Sequence, residues 1–288
     1  GDSATAGVIK DAGDDPDVTH GAEIRATLTP APPGSGVNFA AGPGVGTVTL
    51  PGLPLPVGEP AINPSPRAMI RAAIASVAET YGASDDVTVT VSIPGGEALA
   101  TKTLNGRLGI MGGLSILGTT GVVVPFSCAA WVHSIHRGID VARAAGFAHV
   151  AAATGSTSEA AVKAMYDLPD AALIDMGDFV GGTLKYLRRY PVPRLTIAGG
   201  FAKLVKLAQG HLFLHSSKSR VDMSSLADLL AASDPPPGLP AEAASANTAA
   251  QVLAMAQEHG VSLADAVASG ARNVAARAVD DRVAIEVV

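Results

Sequence analysis

Between Ala148 and Ala208 the chain repeats one pattern three times: a small apolar run, a glycine, then a stretch with helical spacing. Ala148–Ala153 ends at Thr154-Gly155-Ser156-Thr157-Ser158-Glu159, and the spacing predicts a helix from about Glu159 to Tyr166. Ala172–Met176 ends at Gly177-Asp178, with a helix running to Tyr190. Leu195–Ala198 ends at Gly199-Gly200, with a helix over Phe201–Ala208. Three strand–turn–helix units in succession require a parallel, Rossmann-like sheet with right-handed crossovers. Ligands of such a sheet settle outside the carboxyl ends of its strands. Glycine lets a ligand approach the backbone there, and the helix that follows offers unpaired N–H groups. Thr154, Gly155, Ser156, Asp178, Gly199 and Gly200 are therefore the candidates for a nucleotide-like or S-adenosylmethionine pocket, with Asp178 accepting from ribose hydroxyls. Ordinary turns with Ser158 or Asp178 as N-caps would use the same residues. A standard NAD site is disfavoured, since no Gly-x-Gly-x-x-Gly with an acidic residue about 20 positions on is present.

The first part of the chain, to about Pro125, has a different rhythm. Val87–Ile93 alternates β-branched with small polar residues and reads as a half-buried strand running into Pro94-Gly95-Gly96. Ile24–Leu28 and Gly46–Leu50 are weaker strand candidates, and Arg67–Tyr81 carries Ile70, Ile74 and Val77 at helical spacing. Leu53–Arg67 contains five prolines with Glu59, Asn63 and Arg67 interleaved. Each proline removes a donor and restricts its predecessor, so a stiff, extended track is expected there, displaying polar side chains or serving as a rigid linker. Beyond Pro125 a helix is expected over Phe126–Ala145, and after the array a loop at Asp234–Pro240, helices at about Ala241–His259 and Leu263–Ala278, and a strand at Val283–Val288. The fold class is α/β: a strand-rich lobe over residues 1–125 and a Rossmann-like lobe over 126–288, closed by C-terminal helices and an edge strand.

Formal charge is −6 with 16% charged residues, which provides no basic field for nucleic acid and no basic run for a membrane surface. The single cysteine, Cys128, excludes an internal disulfide and a cysteine-based zinc site, and fits a reducing cytoplasm. Leu108–His136 lacks Asp, Glu, Lys and Arg over a length that could span a bilayer. Its five glycines and Pro125 make a buried glycine-rich loop the expectation instead. Asp11, Asp14, Asp15 and Asp17 suit Mg²⁺ or Ca²⁺ by ligand type but not by spacing, and a tight turn with Asx hydrogen bonds is the leading reading; no resident metal is expected. His133 and His136 share a helix face without a third ligand nearby.

Several stretches together resemble the CbiD family, the cobalt-precorrin-5B C(1)-methyltransferases of anaerobic cobalamin synthesis. They are Lys10–Thr19, Gly58–Arg67, Lys102–Gly121, Thr154-Gly155, Asp175–Gly181, Lys203–Gly210 and His215-Ser216, in family order and across most of the chain. Family members usually begin with a further Thr-Thr-Gly-rich segment ahead of an alanine-rich helix, so this sequence is expected to be truncated, cleaved or to have lost that element. The resemblance implies S-adenosylmethionine as co-substrate and methylation of a cobalt tetrapyrrole at C-1, giving cobalt-precorrin-6A. The cobalt would arrive already chelated in the macrocycle. The carboxylate arms of that substrate call for Arg and Lys. Asn63, Arg67, Lys102, Arg107, Thr119 and Thr120 are the candidates in matched motifs, with Lys203 and Lys206 set against a solvated helix face. His215 is the candidate for proton handling or substrate binding, set against a satisfied structural histidine. A cleft between the lobes is expected to hold both ligands, and a homo-oligomer stays open. The alternatives are a non-catalytic corrinoid-intermediate-binding protein and a nucleotide-dependent oxidoreductase of the same pathway.

Overall fold

A computed structural model describes residues 3–118 and 120–288, in two compact units that meet between Ala130 and Trp131. The fold class is α/β.

Unit 1 contains β1 (Ala4–Ile9), β2 (Glu23–Pro30), β3 (Val37–Ala41), β4 (Gly44–Val45), β5 (Thr47–Val48), α1 (Pro64–Tyr81), β6 (Val87–Ser92), α2 (Gly96–Ala100), β7 (Ile110–Met111) and β8 (Gly113–Leu114). Its main sheet has the order β1-β2-β6-β3, antiparallel except for the β3–β6 pair. The alternation read in β6 is real: Val89 and Val91 are buried with Ile62, Ile93 and Leu114, while Ile70 and Ile74 of α1 pack against them. Val77, on the same apolar stripe, is exposed. β4 pairs with β8 and β5 with β7, over a small cluster of Val48, Leu55, Ala61 and Ile110. That junction needs glycine: a Cβ on Gly44, at φ +79°, would lie 1.8 Å from the Ile93 carbonyl oxygen.

The proline track is neither wholly extended nor outside helix. Turns occupy residues 51–59, and Pro64, Ser65 and Pro66 form the first turn of α1. Proline is tolerated there because a first-turn N–H has no intrahelical acceptor and the fixed φ is already helical. The buried glycine-rich loop expected after Leu108 is also corrected. Leu117, Val122, Val124 and Phe126 lie exposed, and the helix begins at Cys128 because Phe126 has a left-handed φ of 53°. The Asp-rich segment is a turn: Asp11 accepts from the Gly13 amide, Asp17 from Thr19 and from Lys10, and Asp15 from the Phe126 amide.

Following the helix α3 (Cys128–Ala144), unit 2 runs β9 (His149–Ala153), α4 (Ser156–Tyr166), β10 (Leu173–Asp175), α5 (Val180–Arg189), β11 (Arg194–Ala198), α6 (Phe201–Ala208), α7 (Met223–Ala231), α8 (Leu239–Ala244), α9 (Ala249–Glu258), α10 (Leu263–Ala278) and β12 (Ala284–Val287). The sheet is parallel throughout, with order β10-β9-β11-β12. One face packs on α4 through Ala151, Ala153, Val162 and Ala198. The other carries the main core, built from α3, α5, α6 and the C-terminal helices around Ile139, Leu184, Ile197, Leu207 and Val267. The tail helix expected from Ala241 to His259 is broken in two. Thr248 and Gln251 form a capping box, and a side chain that satisfies its own helix start ends the preceding helix. α7 went unread; Asp222 caps it by accepting from the Ser224 and Ser225 amides. Among the described residues no helix is long and apolar enough to cross a membrane.

Candidate functional site

The crossover β9–α4–β10 lies on one face of the unit 2 sheet, and β10–α5–β11 returns on the other. The chain therefore reverses its winding between β9 and β11, and the carboxyl ends of these two strands are where a sheet of this kind forms its ligand crevice. Thr154, Gly155 and Ser156 form one side of it and Gly199 and Gly200 the other. The Thr154 amide donates to the Ala198 carbonyl at 2.9 Å and holds the two strand ends together. A Cβ on Gly199 would meet Thr154 Oγ1 at 3.2 Å, so this glycine is set by packing. Gly155 and Gly200 are different. Gly155 has φ 170° and Gly200 has φ −64°, both open to any residue, and an added Cβ would touch nothing within 4 Å at either. Each precedes a helix whose first turn has no side-chain cap. Each is the N-cap of its helix, where glycine is an accepted residue. No backbone angle or packing contact adds a need for it, while a ligand lying on the backbone would.

Asp178 follows β10 at the same edge. Its Oδ1 lies 3.1 Å from Lys203 Nζ, and that ammonium also donates to the Thr154 carbonyl at 3.1 Å. Oδ1 is sealed from solvent and makes no hydrogen bond, so the lysine charge compensates it by Coulomb attraction alone. Lys203 thus ties together the loops after β9 and β10 from the helix after β11. A solvated helix face does not describe it. Lys206, one turn on, is 8% exposed and donates to the Leu214 carbonyl at 2.9 Å, so it too is an internal strut. The Gly181 amide donates to Leu212 and the Leu214 amide to Asp178, which laces residues 212–214 along the start of α5. His215 follows, exposed at the edge of this strip. Its Nδ1 accepts from the Ser217 amide at 3.2 Å, which places the ring proton of the neutral form on Nε2.

The residues matched to the tetrapyrrole lie on unit 1. Asn63 occupies the N-cap position of α1 without capping it through its side chain. Arg67 is 14% exposed at its side chain; it donates to the Ile62 and Pro60 carbonyls and pairs with Glu59 at 2.9 Å, with its guanidinium 5.1 Å over Phe39. An arginine so engaged holds the loop 59–62 in shape. Lys102 is exposed just after α2, Arg107 is half-buried before β7, and the Thr120 hydroxyl accepts from the Val122 amide. Thr119 lies outside the described residues.

Two other polar groupings stand apart from the crevice. On the α4 face of the sheet, Glu286 accepts from Arg194 at 2.7 Å and from Thr196 at 2.6 Å, and Thr196 meets His149 at 2.7 Å. Burial raises the Glu286 pKa, but the Thr196 and Arg194 hydrogen bonds overcome it and hold the carboxyl down to about 2. His136 stacks on Tyr186 at 3.9 Å, and burial lowers its pKa, so the His133–His136 face is a packing surface. Among the described residues no group of three or more His, Cys, Asp or Glu could hold a metal ion.

The CbiD family model matches residues 1–125 and the model of the CbiD C-terminal domain matches residues 213–288. The chain belongs to the CbiD family. A protein from Bradyrhizobium sp. (strain BTAi1) named cobalt-precorrin-5B C(1)-methyltransferase is 64% identical over 288 residues, covering 100% of this chain and 77% of that protein. A namesake from Brucella anthropi is 58% identical over 286 residues, covering 99% and 78%. The solved structure of a cobalamin biosynthesis protein (cbiD) from Archaeoglobus fulgidus is 27% identical with a TM-score of 0.35, covering 70% of this chain and 62% of that one.

Proposed function

We propose that this CbiD-family chain methylates C-1 of cobalt-precorrin-5B and takes the methyl group from S-adenosylmethionine, bound at the β9–β11 crevice of unit 2. The activity follows from the names of relatives that match almost the whole chain. The observation that supports the donor site is the pair of glycines, Gly155 and Gly200, which no backbone angle or packing contact requires. The donor carries a methyl already activated on sulfonium sulfur; as C-1 attacks, the S–CH₃ bond breaks, a C–C bond forms and a neutral thioether leaves.

The chain therefore has little acid–base work to do, and its task is alignment. In this reading the backbone at Gly155 and Gly200 lies along the donor. The Asp178 carboxylate, held from behind by Lys203, accepts from the donor's hydroxyls with the oxygen that Lys203 leaves open. Thr154 and Ser156 supply short polar contacts beside it. Lys102 and Arg107, with Asn63, Thr119 and Thr120, are assigned to the carboxylate arms of the macrocycle, and Arg67 serves them by fixing the 59–62 loop. His215 stays the candidate for moving a proton, through Nε2.

Calorimetric titration of S-adenosylhomocysteine into the chain and its Asp178→Ala variant tests the donor site, and transfer of labelled methyl to cobalt-precorrin-5B tests the activity. Micromolar binding weakened in the variant is expected. Absence of binding to the unaltered chain would sink the donor assignment.

A further inference from the structure

The chain has one tryptophan, Trp131, and it is not spent on the core: 46% of its surface is exposed at the start of α3. Its indole N–H donates to the carbonyl of Asp175, the last residue of β10, at 3.3 Å. Its ring lies beside Gly177, which turns at φ 54°; a Cβ there would sit 3.6 Å from the indole. The next residue is Asp178. Behind the indole, aromatic rings continue in a row: Phe179 at 6.4 Å, Phe213 5.2 Å from Phe179, and His215 6.2 Å from Phe213. A large planar side chain is thus fixed at one edge by a hydrogen bond, backed by a second ring, and left open to solvent beside the Gly177 turn that leads into Asp178. Exposing it has a hydrophobic cost that ordinary packing would have removed.

We propose that Trp131 is the platform on which the adenine ring of the methyl donor stacks, with Phe179 supporting it from behind. This rests on the crevice being the donor site. Three observations favour adenine as the occupant. The platform touches Gly177, and the next residue is Asp178, an acceptor suited to a ribose diol. It lies at the end of β10, on the side of β9 away from β11, so a nucleoside seated there can extend its sulfur toward Gly155 and Gly200. Its exposed indole suits a single base, since base–aromatic stacking uses one π-face of each partner.

The chain's only tryptophan would then report donor binding directly. Intrinsic fluorescence is titrated with S-adenosylhomocysteine, adenosine and homocysteine, beside calorimetry on the same samples and on Trp131→Ala and Trp131→Phe. Adenosine and S-adenosylhomocysteine should each change Trp131 emission, with homocysteine silent. Trp131→Ala should weaken both adenosyl ligands about ten- to a hundredfold, the range of one lost base stack. Trp131→Phe should restore most of that, and both variants should keep the far-UV circular dichroism of the parent. If calorimetry shows S-adenosylhomocysteine binding while emission is unchanged and Trp131→Ala binds as the parent does, the platform is refuted and the donor site stands. Loss of binding that Trp131→Phe does not recover also refutes stacking. If no adenosyl ligand binds the parent chain, both proposals fall together.

Discussion

Replacing Gly155 and Gly200 by alanine separates a glycine kept for the fold from one kept for a ligand. Gly200 sits at φ −64°, ψ 146°, and Gly155 in fully extended backbone, with 4 Å of open space around each added Cβ. Neither substitution strains the native state, while both narrow the unfolded chain's freedom. Both positions are helix N-caps, where glycine is preferred to alanine, so the usual Gly→Ala gain of about 0.4–1 kcal/mol is offset and unit 2 should keep its stability within about 0.5 kcal/mol. For a unit of this size that leaves the melting midpoint within roughly 2 °C of the parent. The same methyl group stands where the donor's backbone-hugging atoms should lie, and displacement of that order costs about tenfold or more in affinity.

The signature is thus a protein that melts where the parent does and binds S-adenosylhomocysteine more weakly, read by Trp131 emission on heating and by calorimetry. Gly44→Ala is the contrast, because its Cβ would fall 1.8 Å from the Ile93 oxygen, and unit 1 should fail to fold. Gly155→Ala and Gly200→Ala proteins with unchanged affinity would show that no ligand approaches the backbone there. A fall in stability would show that the glycines serve the fold after all.

Arg67→Met should lower the stability of unit 1 by about 2 kcal/mol, since its hydrogen bonds to two carbonyls and Glu59 are lost, and hydrogen exchange at residues 59–62 should rise; unchanged exchange would mean that Arg67 is not the pin of this loop. Lys206→Met should lower the melting midpoint of unit 2, because it leaves the buried Leu214 carbonyl without its donor at a cost of about 1–3 kcal/mol, and it should loosen residues 212–219 in hydrogen exchange; an unchanged midpoint and exchange would show that Lys206 is no strut. Glu286 has a folded pKa of about 2 against an ordinary 4.5, so its contribution is complete above about pH 4.5 and lost as pH falls through 2. With its side chain 33% exposed, that contribution is discounted for solvent screening to about 1–2 kcal/mol. The stability gap between the parent and Glu286→Gln should narrow from pH 5 to pH 3, and a gap that stays constant would contradict the assignment.

What the sequence reveals and what it conceals divide along one physical line: the range of the interactions involved. The parallel array was readable because each of its strands is a continuous apolar run closed by glycine, and such runs report burial on both faces without reference to any partner. The capping box that splits α8 from α9 was readable in principle too, since Thr248 and Gln251 stand three apart, but the alanine-rich run around them masks the break. The proline track misled because proline's prohibition applies inside a helix and not to its first turn, where Pro64 and Pro66 stand. The side-chain assignments at the site depended on contacts that no spacing encodes. Lys203 meets Asp178 across 25 positions and Thr154 across 49; Trp131 meets Asp175 across 44. Each of these residues alone reads as a helix-face cation, an N-cap or one more apolar position in a run. Only the crossing from β10 back past β9 to β11 puts a lysine behind the aspartate, and only the packing of α3 sets an indole beside the Gly177 turn before it. The donor-site proposal therefore rests on topology as much as on residue type, and the glycines at its centre are informative because neither backbone angle nor packing demands them beyond their place as N-caps.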